Sequence, residues 1–222
     1  MADYSDTRDR VEHYFDRSAT KVWERLTSDA PVSRIRQTVR EGRDKMRALM
    51  LSRLPTDLRG ARVLDAGCGA GQMTAELAAR GADVMAVDIS PALVEIARAR
   101  LPEALAPRVT FAAGDMTAAD HGSFDYVMAM DSLIYYGPAD IAAALDRLGA
   151  RTRSAVVFTV APKTPFLMAF WTLGKAFPRA DRSPTMVPHA FETLSKATGG
   201  RLAQIDRVSR GFYISECLEY RP

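Results

Sequence analysis

Hydrophobic positions along the chain change rhythm once, near residue 60. Before that point they recur every three or four residues. In "DRVEHYFD", Val11, Tyr14 and Phe15 fall at helical spacing. In "PVSRIRQTVREGRDKMRALMLSRL", Val32, Ile35, Val39, Met46, Leu49 and Met50 make one broad apolar face, with Pro31 near its start and Pro55 beyond its end. Residues 5–54 therefore read as helices. From residue 61 the apolar residues come in short runs that give out near a Gly, Asp or Pro: "ARVLDAG", "DVMAVDI", "RVTFAAGD", "FDYVMAMD" and "SAVVFTVAP". Such near-continuous runs suit strands covered on both faces. Between them 72–80, 91–101 and 138–149 read as helices. Ser90 then Pro91 makes a cap and first turn, and Gly81 makes a stop. This alternation predicts an α/β fold with a doubly wound, mostly parallel sheet. After residue 186 come one more helix and two alternating segments, "RLAQIDRVS" and "FYISECLEY", expected to close the sheet as an antiparallel pair.

A length of 222 residues, 47% of them hydrophobic, allows one substantial core with a small appendage. The expected division is a helical cap or lid over 1–58, a core over 59–222, and an insertion at 162–186. Cys68 and Cys217 have neither a metal-binding spacing nor a disulfide framework, which fits a reducing cytoplasm. No apolar run reaches the ~18 residues of a spanning helix, and the charged start "MADYSDTRDRVEHYF" lacks the apolar centre of a signal peptide. The net charge is only +3, yet Arg34, Arg36, Arg40, Arg43, Lys45, Arg47, Arg53, Arg59 and Arg62 crowd one segment. That run reads as a solvated helix face, or as a contact for an anionic ligand, an acidic partner or a membrane surface.

The stretch "VLDAGCGAG", residues 63–71, carries the chemistry. It lies at a strand's carboxyl end, where open parallel sheets bind ligands. Gly67, Gly69 and Gly71 are expected to let backbone N–H groups approach a ligand. A dinucleotide fingerprint wants G-x-G-x-x-G, and the spacing here departs from it. Asp65 precedes the loop. A carboxylate there suits an ammonium group and repels a pyrophosphate. S-adenosylmethionine brings an α-ammonium and a sulfonium, and no phosphate. Asp88, followed by Ile89, ends the second strand and can bind ribose hydroxyls. Asp115 ends the third and can accept from an adenine amino group, with the Met116 backbone donating. Asp131 ends the fourth. A lone Asp at a strand end is a common turn residue; the loop with three such acids points to this cofactor.

The series "VLDAGCGAG", "AVDIS", "AAGDM", "FDYVMAMDSL" resembles that of class I S-adenosylmethionine-dependent methyltransferases, over roughly residues 60–160. The resemblance implies a Rossmann-like, seven-stranded, mostly parallel sheet with helices on both faces, and leaves the acceptor open. Where DNA amino-methylases of that superfamily carry D/N-P-P-Y/F, this chain reads "MDSLIYYGP". Its basic run also lacks interleaved aromatics, so no nucleic-acid partner is expected. In "APKTPFLMAFWTLGKAFPRADRSPTMVP", Phe170 and Trp171 stand among other apolar residues beside Lys175, Arg179 and Arg182. That mixture suits a large flat apolar ligand bearing carboxylates, or an amphipathic helix lying on the core or on a membrane. With "VEHYFDRSATKVWERL", "MDSLIYYGP" and the closing "GFYIS", it is similar to the magnesium protoporphyrin IX O-methyltransferases of the bacteriochlorophyll pathway, along nearly the whole chain. This second resemblance implies methyl transfer from S-adenosylmethionine to one propionate of magnesium protoporphyrin IX, giving the monomethyl ester and S-adenosylhomocysteine. It also implies coupling to the porphyrin-binding subunit of magnesium chelatase. Magnesium then arrives with the substrate, and no protein metal site is expected; His13 and His189 read as surface or packing histidines before they read as axial ligands.

A propionic acid has a pKa of ~4.3, so at neutral pH the nucleophile is already charged and no general base is required. The enzyme's task is alignment and exclusion of water, and alignment alone can lower a barrier by roughly 7–11 kcal/mol. Tyr14 is expected to close over the cofactor, and Tyr135 to reach the same site from beyond the fourth strand. Both also read as packing aromatics. Chlorophyll-pathway members carry His where this chain has Tyr135, so its role must be one a phenol can fill. Arg179 and Arg182, then Arg34 and Arg36, are the candidates for pairing with the non-reacting propionate. Two other functions remain open: methylation of another hydrophobic acid or phenol, such as a quinone precursor, and non-catalytic binding of cofactor and porphyrin.

Overall fold

The computed structural model describes residues 4–14, 33–165, 167–168 and 185–222. In them the five apolar runs become strands β1 (Arg62–Ala66), β2 (Asp83–Asp88), β3 (Val109–Ala113), β4 (Phe124–Ala129) and β5 (Thr152–Val160). The two alternating segments become β6 (Leu202–Arg210) and β7 (Tyr213–Tyr220). All seven lie in one sheet, ordered β3-β2-β1-β4-β5-β7-β6. The first five pair in parallel; β7 runs antiparallel to both β5 and β6. β5 begins two residues before its apolar run, because Thr152 pairs with Phe124 through a polar stretch that hydrophobicity does not reveal.

The helices are α1 (Tyr4–Tyr14), α2 (Arg34–Leu51), α3 (Gln72–Ala79), α4 (Pro91–Arg100), α5 (Pro138–Gly149) and α6 (Phe191–Ala197). Their ends follow local chemistry. The Ser90 hydroxyl accepts from the Leu93 N–H ahead of Pro91, and α3 stops before Gly81. Successive strand residues face opposite sides of a sheet, so each central strand feeds two cores. Leu64, Val127 and Val156 pack with Ile141, Leu145 and Leu148 of α5. Their neighbours Val63, Met128 and Val157 pack with Met46 and Met50 of α2 and Leu77 of α3.

Within the 1–58 segment the two described helices differ in kind. Met46, Met50 and Leu51 of α2 are fully buried against the sheet, so α2 belongs to the core. Its apolar face fades at the first turn, where Ile35 is 55% exposed; Val32 lies outside the described residues. α1 instead lies over the strand tips, turning Tyr4, Arg8 and Val11 toward the cleft described below. Most of the 162–186 insertion lies outside the described residues. Among those described, no helix is long and apolar enough to cross a membrane.

Candidate active site

Because β1 to β4 run in parallel, their carboxyl ends share one edge, and strand order reverses between β1 and β4. That switch opens a crevice. Here it is a cleft open at its mouth and lined by Asp65, Asp88, Asp115 and Asp131 from four successive tips. Ile89, Met116, Tyr135 and the loop residues Gly67 and Gly69 also line it.

The glycine loop works differently from that expectation. Its N–H groups turn inward. Gly67 and Cys68 both donate to the Val87 carbonyl, Gly71 donates to Cys68, and Gly69 donates to the Asp88 carboxylate at 2.8 Å. The loop is thus braced by β2 rather than presenting those donors to a ligand. Gly67 is required for space: at φ +86, a Cβ there would stand 2.4 Å from the Ser132 Cβ. Gly71 is a packing residue outside the cleft wall. At φ +84 it starts α3 directly against Ala97 of α4, whose Cβ would lie 2.9 Å from an added methyl.

The four acids differ in environment. Asp65 is 1% exposed and accepts from the Thr74 hydroxyl at 2.5 Å. Burial, and secondarily the Asp88 charge, push its carboxyl up to about 7. Among the described residues no cation pairs with it. Asp88 accepts from Gly69 and, at 3.0 Å, from the Ser90 N–H. At Asp115 partial burial opposes ionisation. The Thr117 N–H and hydroxyl, both at 2.8 Å, the Tyr4 hydroxyl at 3.1 Å and the nearby Arg8 charge outweigh it and hold the carboxyl below its ordinary range. Asp131 adopts a left-handed φ of 57° and is the most committed of the four. Its carboxylate pairs with Arg43 of α2 and accepts from the Tyr213 and Thr159 hydroxyls, each at 3.1 Å.

Several lining residues have no signature in the sequence. Tyr4 stacks on Tyr136 with ring centroids 4.9 Å apart, and Arg8, Gln72 and Ser132 also line the wall, where Arg43 and Arg47 of the basic run join them. Burial, then the Asp115 charge, raise the Tyr4 phenol to about 12. Burial drives the Tyr135 phenol well above its usual range, reinforced by Asp131 and Tyr14, so it stays protonated at neutral pH. Tyr14 does not line the cleft; it packs with Val11, Leu93 and Tyr135 at its flank. Arg34 and Arg36 sit exposed on the first turn of α2, away from the wall, while Phe170, Trp171, Arg179 and Arg182 lie outside the described residues. Other members of the basic run pair internally: Arg47 with Glu76, Arg53 with Glu219, Arg59 with Asp57. His13 is exposed on α1. His189 is buried and its Nε2 meets the Tyr136 carbonyl at 3.0 Å, so it props the tyrosine pair. Among the described residues, no group of three or more His, Cys, Asp and Glu is placed to hold a metal ion.

Residues 129–222 match the family profile described as magnesium-protoporphyrin IX methyltransferase C-terminus, and residues 63–154 match a methyltransferase domain. A magnesium-protoporphyrin O-methyltransferase of Rhodobacter capsulatus is 65% identical over 222 residues, spanning 100% of this chain and 99% of that protein. A magnesium-protoporphyrin O-methyltransferase of Synechocystis is 29% identical, covering 96% of each chain. A crystal structure of magnesium protoporphyrin IX methyltransferase from Synechocystis with bound SAH superposes with a TM-score of 0.81 at 28% identity, covering 97% of this chain and 100% of that one.

Proposed function

Because the chain belongs to the magnesium-protoporphyrin IX methyltransferase family, we propose that it transfers a methyl group from S-adenosylmethionine to one propionate carboxylate of magnesium protoporphyrin IX. The products are the monomethyl ester and S-adenosylhomocysteine, a step of bacteriochlorophyll synthesis. The observation that carries this reading is the 65% identity to the Rhodobacter capsulatus protein along both full lengths. The cleft agrees at the cofactor end. Asp65, buried and lacking a cation, suits the α-ammonium; Asp88 suits the ribose hydroxyls; Asp115 and Met116 suit the adenine edge, with Ile89 beside them. Four acids in one wall disfavour a pyrophosphate.

When bound, S-adenosylmethionine supplies a methyl group on a cationic sulfur. The residues then have positioning work to do. An ionised propionate needs orientation and dry surroundings. Tyr135, held as a phenol, can donate a hydrogen bond to that carboxylate and cannot act as a base near neutral pH. Tyr14 supports it from α1, and α1 acts as a lid through its Tyr4 and Arg8 contacts to Asp115. Arg179 and Arg182 are retained for the second propionate and Phe170 and Trp171 for the ring; Arg34 and Arg36, exposed away from the wall, are not.

The surface reading extends the same proposal. Gly211 lies directly against Thr38, which sets the turn bearing Phe212, 53% exposed, beside the first turn of α2 with Ile35, Arg34 and Arg36. Exposed apolar side chains among arginines suit peripheral contact with an anionic bilayer. Co-sedimentation with anionic but not neutral vesicles is expected. Binding to the porphyrin-binding chelatase subunit without any to vesicles would reassign that surface to a protein partner.

Incubation with methyl-labelled S-adenosylmethionine tests the reaction. Label is expected in the monomethyl ester of magnesium protoporphyrin. Label in a quinone-precursor phenol and none in the pigment would move the acceptor. Cofactor binding without turnover on either would make the chain a non-catalytic subunit.

A further inference from the structure

Among the described residues, Ser132 Oγ is the one buried side-chain oxygen or nitrogen without a hydrogen-bond partner. It lines the cleft, and its backbone is pinned by Gly67, whose Cα leaves just enough room for the serine Cβ. A buried hydroxyl left unpaired costs stability, and an unsatisfied group of this kind calls for an explanation. The donor account of the cleft gives one. Four carboxylates supply acceptors in abundance. In the loop wall the N–H groups of Gly67, Cys68 and Gly69 are spent on Val87 and Asp88. The hydroxyl beside them is a donor still to be used.

We infer that Ser132 Oγ donates a hydrogen bond to a ligand carboxylate in this cleft and is a binding residue of the methyl-transfer site. The inference rests on the cofactor reading above. Two carboxylates could reach it: that of the cofactor's amino-acid end and that of the acceptor propionate. The shared chemistry is a carboxylate oxygen meeting a buried O–H that has no partner among the described residues.

Ser132→Ala separates the possibilities. The probes are S-adenosylhomocysteine, 5′-methylthioadenosine, which lacks the amino-acid end, and magnesium protoporphyrin added in the presence of S-adenosylhomocysteine. A hydrogen bond to a charged group predicts a loss of about tenfold or more in one affinity. Weaker S-adenosylhomocysteine with unchanged methylthioadenosine assigns the cofactor's carboxylate; weaker porphyrin with unchanged S-adenosylhomocysteine assigns the acceptor's. The unliganded variant is expected to melt no lower than the parent, since alanine removes a group that folding left unpaired. Unchanged affinity for all three probes, an equal loss for S-adenosylhomocysteine and methylthioadenosine, or a lower melting temperature without ligand would overturn the inference. Failure of the parent protein itself to bind either nucleoside would instead bring down the cofactor reading, and the inference with it.

Discussion

Lowering the pH from 8 to 6 during calorimetric titration with S-adenosylhomocysteine probes what the burial of Asp65 implies. Its carboxyl is pushed up to about 7, against an ordinary 3.8. Only the ionised form can pair with the ligand's ammonium, and pairing draws its pKa down again. The apparent Kd then scales as 1 + 10^(7 − pH), about 1.1 at pH 8 and about 11 at pH 6, a change of about tenfold or ~1.4 kcal/mol. A carboxylate of ordinary pKa would leave the affinity flat over this range. In Asp65→Asn the affinity at pH 8 is expected to be lower and the pH dependence to vanish; 5′-methylthioadenosine, without the ammonium, is expected to show none with either protein. The same shift bears on folding. A pKa raised on folding gives a contribution that is complete below the unfolded value of ~3.9 and is lost as pH climbs through the folded value. About three pK units correspond to ~4 kcal/mol, so the stability of the parent relative to Asp65→Asn should decline between pH 4 and 7, and S-adenosylhomocysteine should restore part of it. A flat binding curve for the parent, or an equal slope in the Asn variant, would refute the reasoning.

Three further expectations test other parts of the site. Tyr135→Phe should lower kcat by about 10- to 150-fold, the worth of a hydrogen bond to a charged group, with S-adenosylhomocysteine affinity unchanged; unchanged kcat would remove the phenol from the mechanism. Asp115→Ala takes away the acceptor shared by Tyr4, Thr117 and Arg8, so trypsin should cut within α1 faster and S-adenosylhomocysteine should protect that helix less; equal cleavage rates would count against a lid. Gly71→Ala should destabilise the fold by more than ~1 kcal/mol, since it adds both a strained φ and contact with Ala97; a melting temperature equal to the parent's would contradict the packing role.

The parts of this molecule legible in its sequence are those set by neighbours in the chain. Ser90 with Pro91 and Gly81 owe their roles to residues one to four positions away, the strand-end acids show as the places where apolar runs give out, and the helix over 138–149 lies as its pattern predicts. The missed residues depend on long-range encounters. Tyr4 meets Asp115 across 111 positions, and Arg43 reaches Asp131 across 88; no local periodicity encodes such pairs. The glycine loop misled for a related reason. Its composition shows that backbone can come close, but whether the N–H groups face a ligand or the adjacent strand depends on Val87 and Asp88, which become neighbours through β1–β2 pairing. Ile35 continues the helical apolar stripe, yet its side chain is left 55% exposed at the first turn of α2.

All of these expectations assume that the carboxylates of successive strand tips hold a nucleoside that carries positive charge and no phosphate. Calorimetry of the pure protein at pH 8 with S-adenosylhomocysteine, and separately with NADH, addresses that directly. Saturable heat is expected with the first ligand and none with the second. Heat with NADH and none with S-adenosylhomocysteine would contradict the account.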